Sequence, residues 1–127
     1  MRVLSLFVLL LFSCAEAPSP ILQLGNWGAE HARLLIQAES WYLEFDCAHA
    51  TVNEPVILED GKFEKEAEYY QEAGYYIENI EPIAAKVTGE LHKNGNLELI
   101  MLVGPDLEEY GRYTFIWNEE ALLYKCA

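Results

Sequence analysis

Alternation of residue character is the feature that most restricts what this chain can fold into. In residues 83–92 one set of alternate positions is occupied by Ile83, Ala85, Val87, Gly89 and Leu91, and in residues 96–103 one set is occupied by Leu97, Leu99, Met101 and Val103. A period of two puts these apolar side chains on one face of a β-strand. The two stretches therefore predict neighbouring strands that each turn one face towards a core.

The short link between these two strands predicts how they pair. A two-residue turn at Asn94-Gly95 would set a polar residue opposite Leu97 and mix the two faces. A three-residue turn over residues 93–95 instead sets Leu91 on the same face as Leu97. Gly95 would then take the left-handed conformation of a type I turn with a bulge, which glycine adopts without steric cost.

Other runs rich in β-branched and aromatic residues follow at similar intervals, separated by Gly, Pro, Asn and Asp. We predict further strands at residues 33–38, 41–48, 56–59, 110–117 and 122–126. Several short strands at this spacing are typical of an all-β sandwich or barrel. About eight of them close comfortably into a small antiparallel up-and-down barrel, which leaves no exposed sheet edge. We therefore expect one barrel domain over residues 24–127.

Residues 62–74 fit two structures. Phe63, Ala67 and Tyr70 follow helical spacing, and the local composition favours a helix. Three glutamates in the same stretch alternate with apolar residues, as they would in a strand. We favour the strand because every neighbouring segment is predicted to be one.

The N-terminal segment predicts export. One positive charge, Arg2, precedes an almost unbroken apolar run that is too short to span a bilayer and is typical of a secretory signal. Cys14 follows the run almost directly, which favours a bacterial lipoprotein signal in which Cys14 becomes the acylated first residue. The alternative is ordinary cleavage after Ala15, which discards the cysteine and leaves a secreted protein. We expect a signal peptide at residues 1–14, a polar tether at 15–23, and a lipid-anchored protein of the periplasm or outer cell envelope.

Two cysteines remain in the domain, Cys47 and Cys126, so one pairing is available. An oxidising compartment makes that disulfide the expected state. Because the disulfide closes a long loop, chain entropy gives it a contribution of at most about 4.5 kcal/mol to the free energy of unfolding. Alternation places both cysteines on the apolar faces of their predicted strands. We therefore expect a buried bridge that ties an early strand to the last one.

The charge of the chain excludes some partners. It has 21 Asp and Glu residues against 8 Lys and Arg residues, a formal net charge of −13. Binding to nucleic acid or to an anionic membrane face needs clustered cations. We expect no nucleic-acid partner and membrane attachment by the lipid anchor alone. The acidity permits a basic protein partner, and it also keeps an exported protein in solution.

Gly25-Asn26-Trp27, at the start of the first strand, resembles the G-x-W signature of lipocalins and related small barrels. The resemblance implies that Trp27 plugs the closed end of the barrel, or contacts a ligand there. It also implies that a basic side chain from a late strand, Arg112 or Lys125, packs over the Trp27 ring. Such a cation over an indole is worth ~0.5–2 kcal/mol.

Two further resemblances concern function. The stretches GNWGAEH, EFDCAHA and the terminal YKCA are together similar to a family of small, uncharacterised exported bacterial proteins. The stretch RYTFIWNEEALLYKC is similar to small bacterial lipoproteins that inhibit lysozyme, which are also eight-stranded barrels with a disulfide to the C-terminal strand. The characteristic inhibitor loop motifs are not recognisable in this chain.

His31, Asp46 and His49 are candidate metal ligands together with Glu30. Asp46 and His49 lie at the end of one predicted strand, and Glu30-His31 begins the preceding one, so a hairpin would bring these ends together. Two imidazoles and two carboxylates suit a divalent metal. The alternative is a hydrogen bond between His31 and Asp46 near the barrel rim, since no H-x-x-x-H spacing supports a metal site.

Aromatic and acidic clusters are the remaining candidates for binding. Tyr69, Tyr70, Tyr75 and Tyr76 either line a ligand entrance or pack half inward and half over the rim. The acidic residues of the loop at 106–109 either meet a basic partner or are simply solvated.

We find no catalytic constellation in the sequence. The domain cysteines are expected to be bridged, Ser40 lies in a predicted turn, and no nucleophile elbow or phosphate loop is present. We expect a non-catalytic binding protein of the cell envelope, without a cofactor, that holds a small apolar ligand in the barrel. One alternative is a protein-interaction module, resembling the lysozyme inhibitors, that uses Asp106, Glu108 and Glu109. Another is a structural envelope lipoprotein with no ligand.

Overall fold

The protein is seen in a computed structural model that describes residues 20–72 and 81–126. Within these residues, eight antiparallel strands form a closed barrel, and each strand pairs with its neighbours in chain order. The strands are β1 (Gly25–Ala29), β2 (Ala32–Ile36), β3 (Trp41–Phe45), β4 (Ala48–Val52), β5 (Lys62–Gln71), β6 (Ile83–Leu91), β7 (Leu97–Val103) and β8 (Glu108–Trp117). The predicted all-β, up-and-down barrel is confirmed.

Burial follows the alternation that predicted β6 and β7. Leu97, Leu99 and Met101 are fully buried on β7, and the residues between them are half-buried. Leu91 of β6 pairs directly with Leu97. Gly95 has a φ of 89°, in the left-handed region. The predicted three-residue turn is therefore confirmed.

Three strand predictions are wrong in detail. Residues 41–48 do not form one strand, because the chain turns at residues 46–47 and returns as β4. We missed β4 because two of its inward residues are alanines, which have a low strand propensity. Residues 56–59 and 122–126 each contribute a single isolated bridge instead of a strand.

The ambiguous stretch at residues 62–74 is a strand over its described part. β5 runs from Lys62 to Gln71 and forms a long ladder with β6. That ladder supplies backbone hydrogen bonds and a buried face, and these override the helical preference of the local sequence. Residues 73–80, which include Tyr75 and Tyr76, lie outside the described part of the chain.

Side chains from all eight strands fill the lumen as one buried hydrophobic cluster. Its largest fully buried members are Phe45, Phe115, Leu34, Leu43, Leu97, Leu99, Met101, Val52 and Val87. The interior is therefore a packed core made of the protein's own side chains.

The seam between β1 and β8 is short. In the described part of the chain, two residue pairs join these strands, Trp27 with Trp117 and Gly28 with Ile116. Beyond them, the chain after β8 turns back and runs along β1 in the same direction. We call this segment, residues 118–126, the C-terminal tail.

Backbone hydrogen bonds attach the C-terminal tail to the first hairpin. The Leu122 N–H donates to the Ala29 carbonyl at 3.1 Å, and the His31 N–H donates to the Leu122 carbonyl at 2.7 Å. The tail crosses so close to Gly28 that a Cβ at this position would overlap the tail backbone. The tail thus completes the closure that the short seam leaves unfinished.

The predicted disulfide is confirmed, but its position differs from the expectation. Cys47 and Cys126 are bonded, and their Cα atoms are 5.2 Å apart. Cys47 lies in the turn between β3 and β4, and Cys126 lies in the exposed C-terminal tail. The bridge is therefore at one end of the barrel and is not buried between two strands. We call this the disulfide end.

The opposite end of the barrel carries the segment before β1 and the turn between β6 and β7. Leu22 is buried there, and the Leu58 N–H donates to the Pro20 carbonyl at 2.6 Å. The end of the predicted tether, residues 20–23, thus contacts the barrel through Pro20 and Leu22. We call this the apolar end.

No helix in residues 20–72 or 81–126 is long and apolar enough to cross a membrane.

We expect Gly28→Ala to lower the free energy of unfolding by about 1–3 kcal/mol, as overpacking typically does. The added Cβ would meet the backbone of Glu119 and Glu120, which can move only if the tail lifts from β1. Urea unfolding followed by tryptophan fluorescence measures the change.

The matched control is Gly95→Asn, because nothing lies within 4 Å of a Cβ built at Gly95 and asparagine tolerates the left-handed conformation. An equal loss of stability in the two variants would contradict the close approach of the tail to Gly28.

Candidate functional site

The predicted metal ligands do not meet at one point: Glu30 and Asp46 lie beside His31, with Glu30 Oε1 3.6 Å from His31 Nε2, whereas His49 pairs with Glu72. His31 lies in the β1–β2 turn and Asp46 in the β3–β4 turn, and the pairing of β2 with β3 brings these turns together as expected. His31 Nδ1 lies 2.6 Å from Asp46 Oδ2. His49, on the outer face of β4, instead has its Nδ1 3.2 Å from Glu72 Oε1. The structure thus contains the hydrogen bond that we considered as the alternative to a metal site.

The surroundings of His49 are also those of a packed side chain. Its ring stacks on Tyr42 and on Tyr70, with centroid distances of 5.8 and 4.8 Å. Among the residues that the structure describes, no group of three or more His, Cys, Asp and Glu side chains could hold a metal ion.

Asp46 holds the C-terminal tail. Its Oδ1 accepts the Tyr124 N–H at 2.7 Å, and its carbonyl accepts the Cys126 N–H at 3.1 Å. His31 has a φ of 68°, in a region that residues other than glycine rarely adopt. The hydrogen bond to Asp46 and the contact with the Tyr124 ring, 5.1 Å between centroids, hold His31 in that conformation. This pair therefore positions the tail.

Lys125 makes the second attachment. Its Nζ donates to the Phe45 carbonyl at 2.9 Å and forms ion pairs with Glu72 at 2.9 Å and Glu44 at 3.3 Å. Burial works against the charge, but hydrogen bonds and negative charge from Glu72 and Glu44 outweigh it and raise the pKa of Lys125. Lys125 is thus a paired cation at neutral pH, which suits a clamp and not a nucleophilic amine.

Arg112 does not lie against Trp27. Inward-facing residues of β8 alternate with outward-facing ones, and Arg112 is on the outer face, where it forms an ion pair with Glu109. Trp27 is buried inside the barrel. Lys125 lies at the disulfide end, as described above. The two basic side chains that we considered therefore make other contacts.

Trp117 is the residue that lies opposite Trp27, and both indoles bind the segment before β1. Trp27 Nε1 donates to the Gln23 carbonyl at 2.9 Å. Trp117 Nε1 donates to the Leu24 carbonyl at 3.2 Å. These bonds anchor residues 20–24 across the apolar end and satisfy the polar edge of each ring.

A cleft of about 690 Å³ opens at the apolar end between this segment, the β6–β7 turn and the end of β8. We call it the end cleft. It is lined by Ile21, Leu22, Gln23, Leu24, Trp27, Leu91, Asn94, Gly95, Asn96, Ile116 and Trp117. None of these residues is charged, although the chain carries a net charge of −13. An apolar wall with a few amide groups, at this size, is typical of a small-molecule site.

The other mouth of the barrel is closed by aromatic side chains. A bulge in β8 leaves Tyr110 unpaired and turns its ring over Phe45 and Tyr69, at centroid distances of 5.4 and 5.2 Å. Burial raises the pKa of Tyr69, as does the neighbouring Tyr110, and burial also raises the pKa of Tyr113. These phenols are neutral and packed, so the mouth is filled by the protein itself.

The predicted acidic loop lies at the β7–β8 turn. Asp106 and Glu108 are exposed, and Glu109 is paired with Arg112. The loop therefore has the character of a solvated surface turn.

Apart from Trp27, the residues that form the end cleft were not among the candidates from the sequence. Leu24 precedes the first strand, and Ile116 and Trp117 end the last one, so they are far apart in the chain. One signal was available, because Phe115, Ile116 and Trp117 form an apolar run that breaks the alternation of β8. An outward-facing isoleucine beside an end-of-strand tryptophan indicates an apolar surface.

Comparison with protein-family models, with curated proteins and with solved structures finds no match to this chain.

We expect the double substitution Cys47→Ala and Cys126→Ala to lower the free energy of unfolding by about 2–5 kcal/mol, as typical for a long-loop disulfide. Chemical denaturation with and without a reductant measures it. Reduction should destabilise the wild-type protein by a similar amount and leave the double variant unchanged. A double variant as stable as the oxidised protein would contradict the clamp.

We expect the stability contributed by Glu72 to disappear in acid. Burial alone would raise the pKa of Glu72, but hydrogen bonds and positive charge from Lys125 and His49 outweigh it and lower the pKa below its ordinary 4.5. A carboxylate with a lowered folded-state pKa stabilises the fold above pH 4.5, and this is lost as the pH falls through the folded value.

Glu72→Gln should therefore be less stable than wild type at neutral pH, and the difference should narrow below pH 4.5. Urea unfolding across the acidic range measures it. Glu39→Gln, on an exposed turn, is the control and should track the wild-type curve. A difference for Glu72→Gln that is constant with pH would refute the assignment.

Proposed function

We propose that this protein is an exported, non-catalytic binding protein that holds a small, uncharged apolar or amphipathic ligand in the end cleft. The observation that carries the proposal is the cleft itself. It has the volume of a small-molecule site, and its lining has no charged side chain in a strongly acidic chain.

The packing of the barrel supports a ligand at its end and not in its lumen. The buried cluster occupies the interior, and aromatic rings fill the mouth at the disulfide end. The end cleft lies at the edge of this packed core, since Leu22 and Trp27 of its lining are buried core residues, whereas the side chains of Leu24, Ile116 and Trp117 are exposed to solvent. An apolar molecule that covered these side chains would remove their surface from water.

The polar groups of the cleft favour an uncharged ligand. The indole N–H groups of Trp27 and Trp117 already donate to backbone carbonyls, so they offer ring faces and not hydrogen bonds. Side-chain amides of Gln23 and Asn96 lie in the lining and can bind a hydroxyl or carbonyl group. A charged ligand group would have no partner of opposite sign there, and its desolvation would oppose binding.

The proposed location comes from the sequence. The apolar run and Cys14 lie before the described residues and support export with a lipid anchor in the cell envelope. Asp106 and Glu108 of the acidic loop are exposed and Glu109 is paired with Arg112, and we favour the end cleft over a protein-facing inhibitor because its lining is built for a small ligand.

We expect the uncharged fluorescent probe N-phenyl-1-naphthylamine to bind the exported protein saturably, with increased and blue-shifted emission. Trp117→Ala should weaken probe binding roughly tenfold, because it removes a large aromatic surface from the cleft. A fluorescence titration measures both. Native mass spectrometry of protein purified from its source would then show whether a natural ligand co-purifies.

Ile83→Ala is the matched control. Ile83 is 41% exposed, as is Trp117, but it lies at the start of β6 near the disulfide end. This variant should bind the probe as the wild type does. Absence of saturable binding to the wild type, or equal weakening in both variants, would refute the end cleft as the ligand site.

A further inference from the structure

We infer that the apolar end of the barrel rests on the surface of a lipid bilayer, an inference that relies on the export and anchoring in the proposed function. Four large apolar side chains are exposed together at this end: Ile21 at 55%, Leu24 at 53%, Ile116 at 42% and Trp117 at 41%. They line the same cleft and form one continuous surface. Clustered exposed apolar groups mark an interaction surface.

The path of the chain selects the bilayer as the occupant. The Pro20 carbonyl is held by the Leu58 N–H, so the chain enters the barrel at the apolar end. Cys14 precedes Pro20 by six residues, which span at most roughly 20 Å when extended. An acyl chain on Cys14 inserted in a bilayer would therefore hold this end, and not the disulfide end, close to the lipid surface.

The side chains at the apolar end suit the interfacial region of a bilayer. Trp117 presents an apolar ring whose N–H is already bonded, and tryptophan is enriched at the level of lipid headgroups. Leucine and isoleucine beside it can enter the boundary of the acyl chains. The end cleft would then open towards the lipid, from which an amphipathic ligand could enter it.

Charge determines which lipid is preferred. The lining of the cleft is neutral, but acidic residues lie around it, because Glu119 and Glu120 follow Trp117, and the β2–β3 and β4–β5 turns at the same end carry Glu39, Glu54, Glu59 and Asp60. Lys93, in the β6–β7 turn, is a cation at this end. The contact we infer is apolar and should be stronger on zwitterionic than on anionic vesicles, because the acidic protein is repelled by negative lipid.

The test mixes the exported full-length product with phosphatidylcholine vesicles whose acyl chains are brominated. The bromine atoms quench the emission of a tryptophan that lies close to them. Trp27 and Trp41 are each 3% exposed, so Trp117 is the exposed reporter among the described residues. We expect the fraction of wild-type tryptophan emission that brominated vesicles quench to equal the fraction that is lost when Trp117 is replaced in Trp117→Phe. Adding anionic phosphatidylglycerol should reduce the quenching.

The control moves the reporter to the other end of the barrel. Ile83→Trp in the Trp117→Phe background places an exposed indole near the disulfide end and should not be quenched. No quenching of wild type, or equal quenching of both reporters, would overturn the inference. A dimer that buries Trp117 in the absence of vesicles would also overturn it. Sedimentation of the wild type and of Trp117→Phe without vesicles would detect such a dimer.

The two proposals fail separately. Probe binding without quenching by brominated lipid would overturn the bilayer contact and leave the ligand-binding function standing. Quenching without probe binding would keep the bilayer contact and remove the small-ligand function.

Discussion

The C-terminal tail, held by a disulfide and by Asp46, is the constraint on which closure of this barrel depends. Two residue pairs join β1 to β8, which is a short ladder for a barrel seam. The tail extends the seam through hydrogen bonds to Ala29 and His31, and its end is fixed covalently to the β3–β4 turn. Because a closed barrel has no free edge only when its last seam is complete, loss of the tail would expose part of β1.

This constraint also explains why titratable side chains gather at the disulfide end. His31, Asp46, Glu72 and Lys125 form hydrogen bonds and ion pairs with each other or with the tail backbone. Perturbed pKa values mark functional sites as a tendency, but ion-pair networks that hold structure also produce them. Here each partner of Lys125 lies on a strand or at a strand end that the tail must reach. The titratable side chains at the disulfide end therefore serve to attach the C-terminal tail to the barrel.

The parts of the fold that could be predicted are those that depend on neighbouring residues. Alternation gives β6, β7 and their turn, since local spacing alone decides which side chains share a face. The sequence does not predict β4, because its alanines carry little strand preference, and it predicts a strand at residues 122–126, where alternation is present but the structure has only one isolated bridge. The end cleft could not be predicted, because it joins residues 21–24 to the end of β8 across the full length of the chain.

The two ends of the barrel differ in a way that bears on orientation. The disulfide end carries the ion pairs that hold the tail, whereas the lining of the end cleft has no charged side chain, although Glu39, Glu54, Glu59 and Asp60 lie in turns at the same end. A molecule with this distribution next to a membrane would lower its energy by turning the uncharged cleft towards the lipid and keeping the surrounding acidic side chains in water. The tether proposed at Cys14 would enter at the apolar end and favour the same orientation. Tethering and the uncharged cleft would thus act in the same direction, although one is a property of the N-terminal segment and the other of the folded barrel.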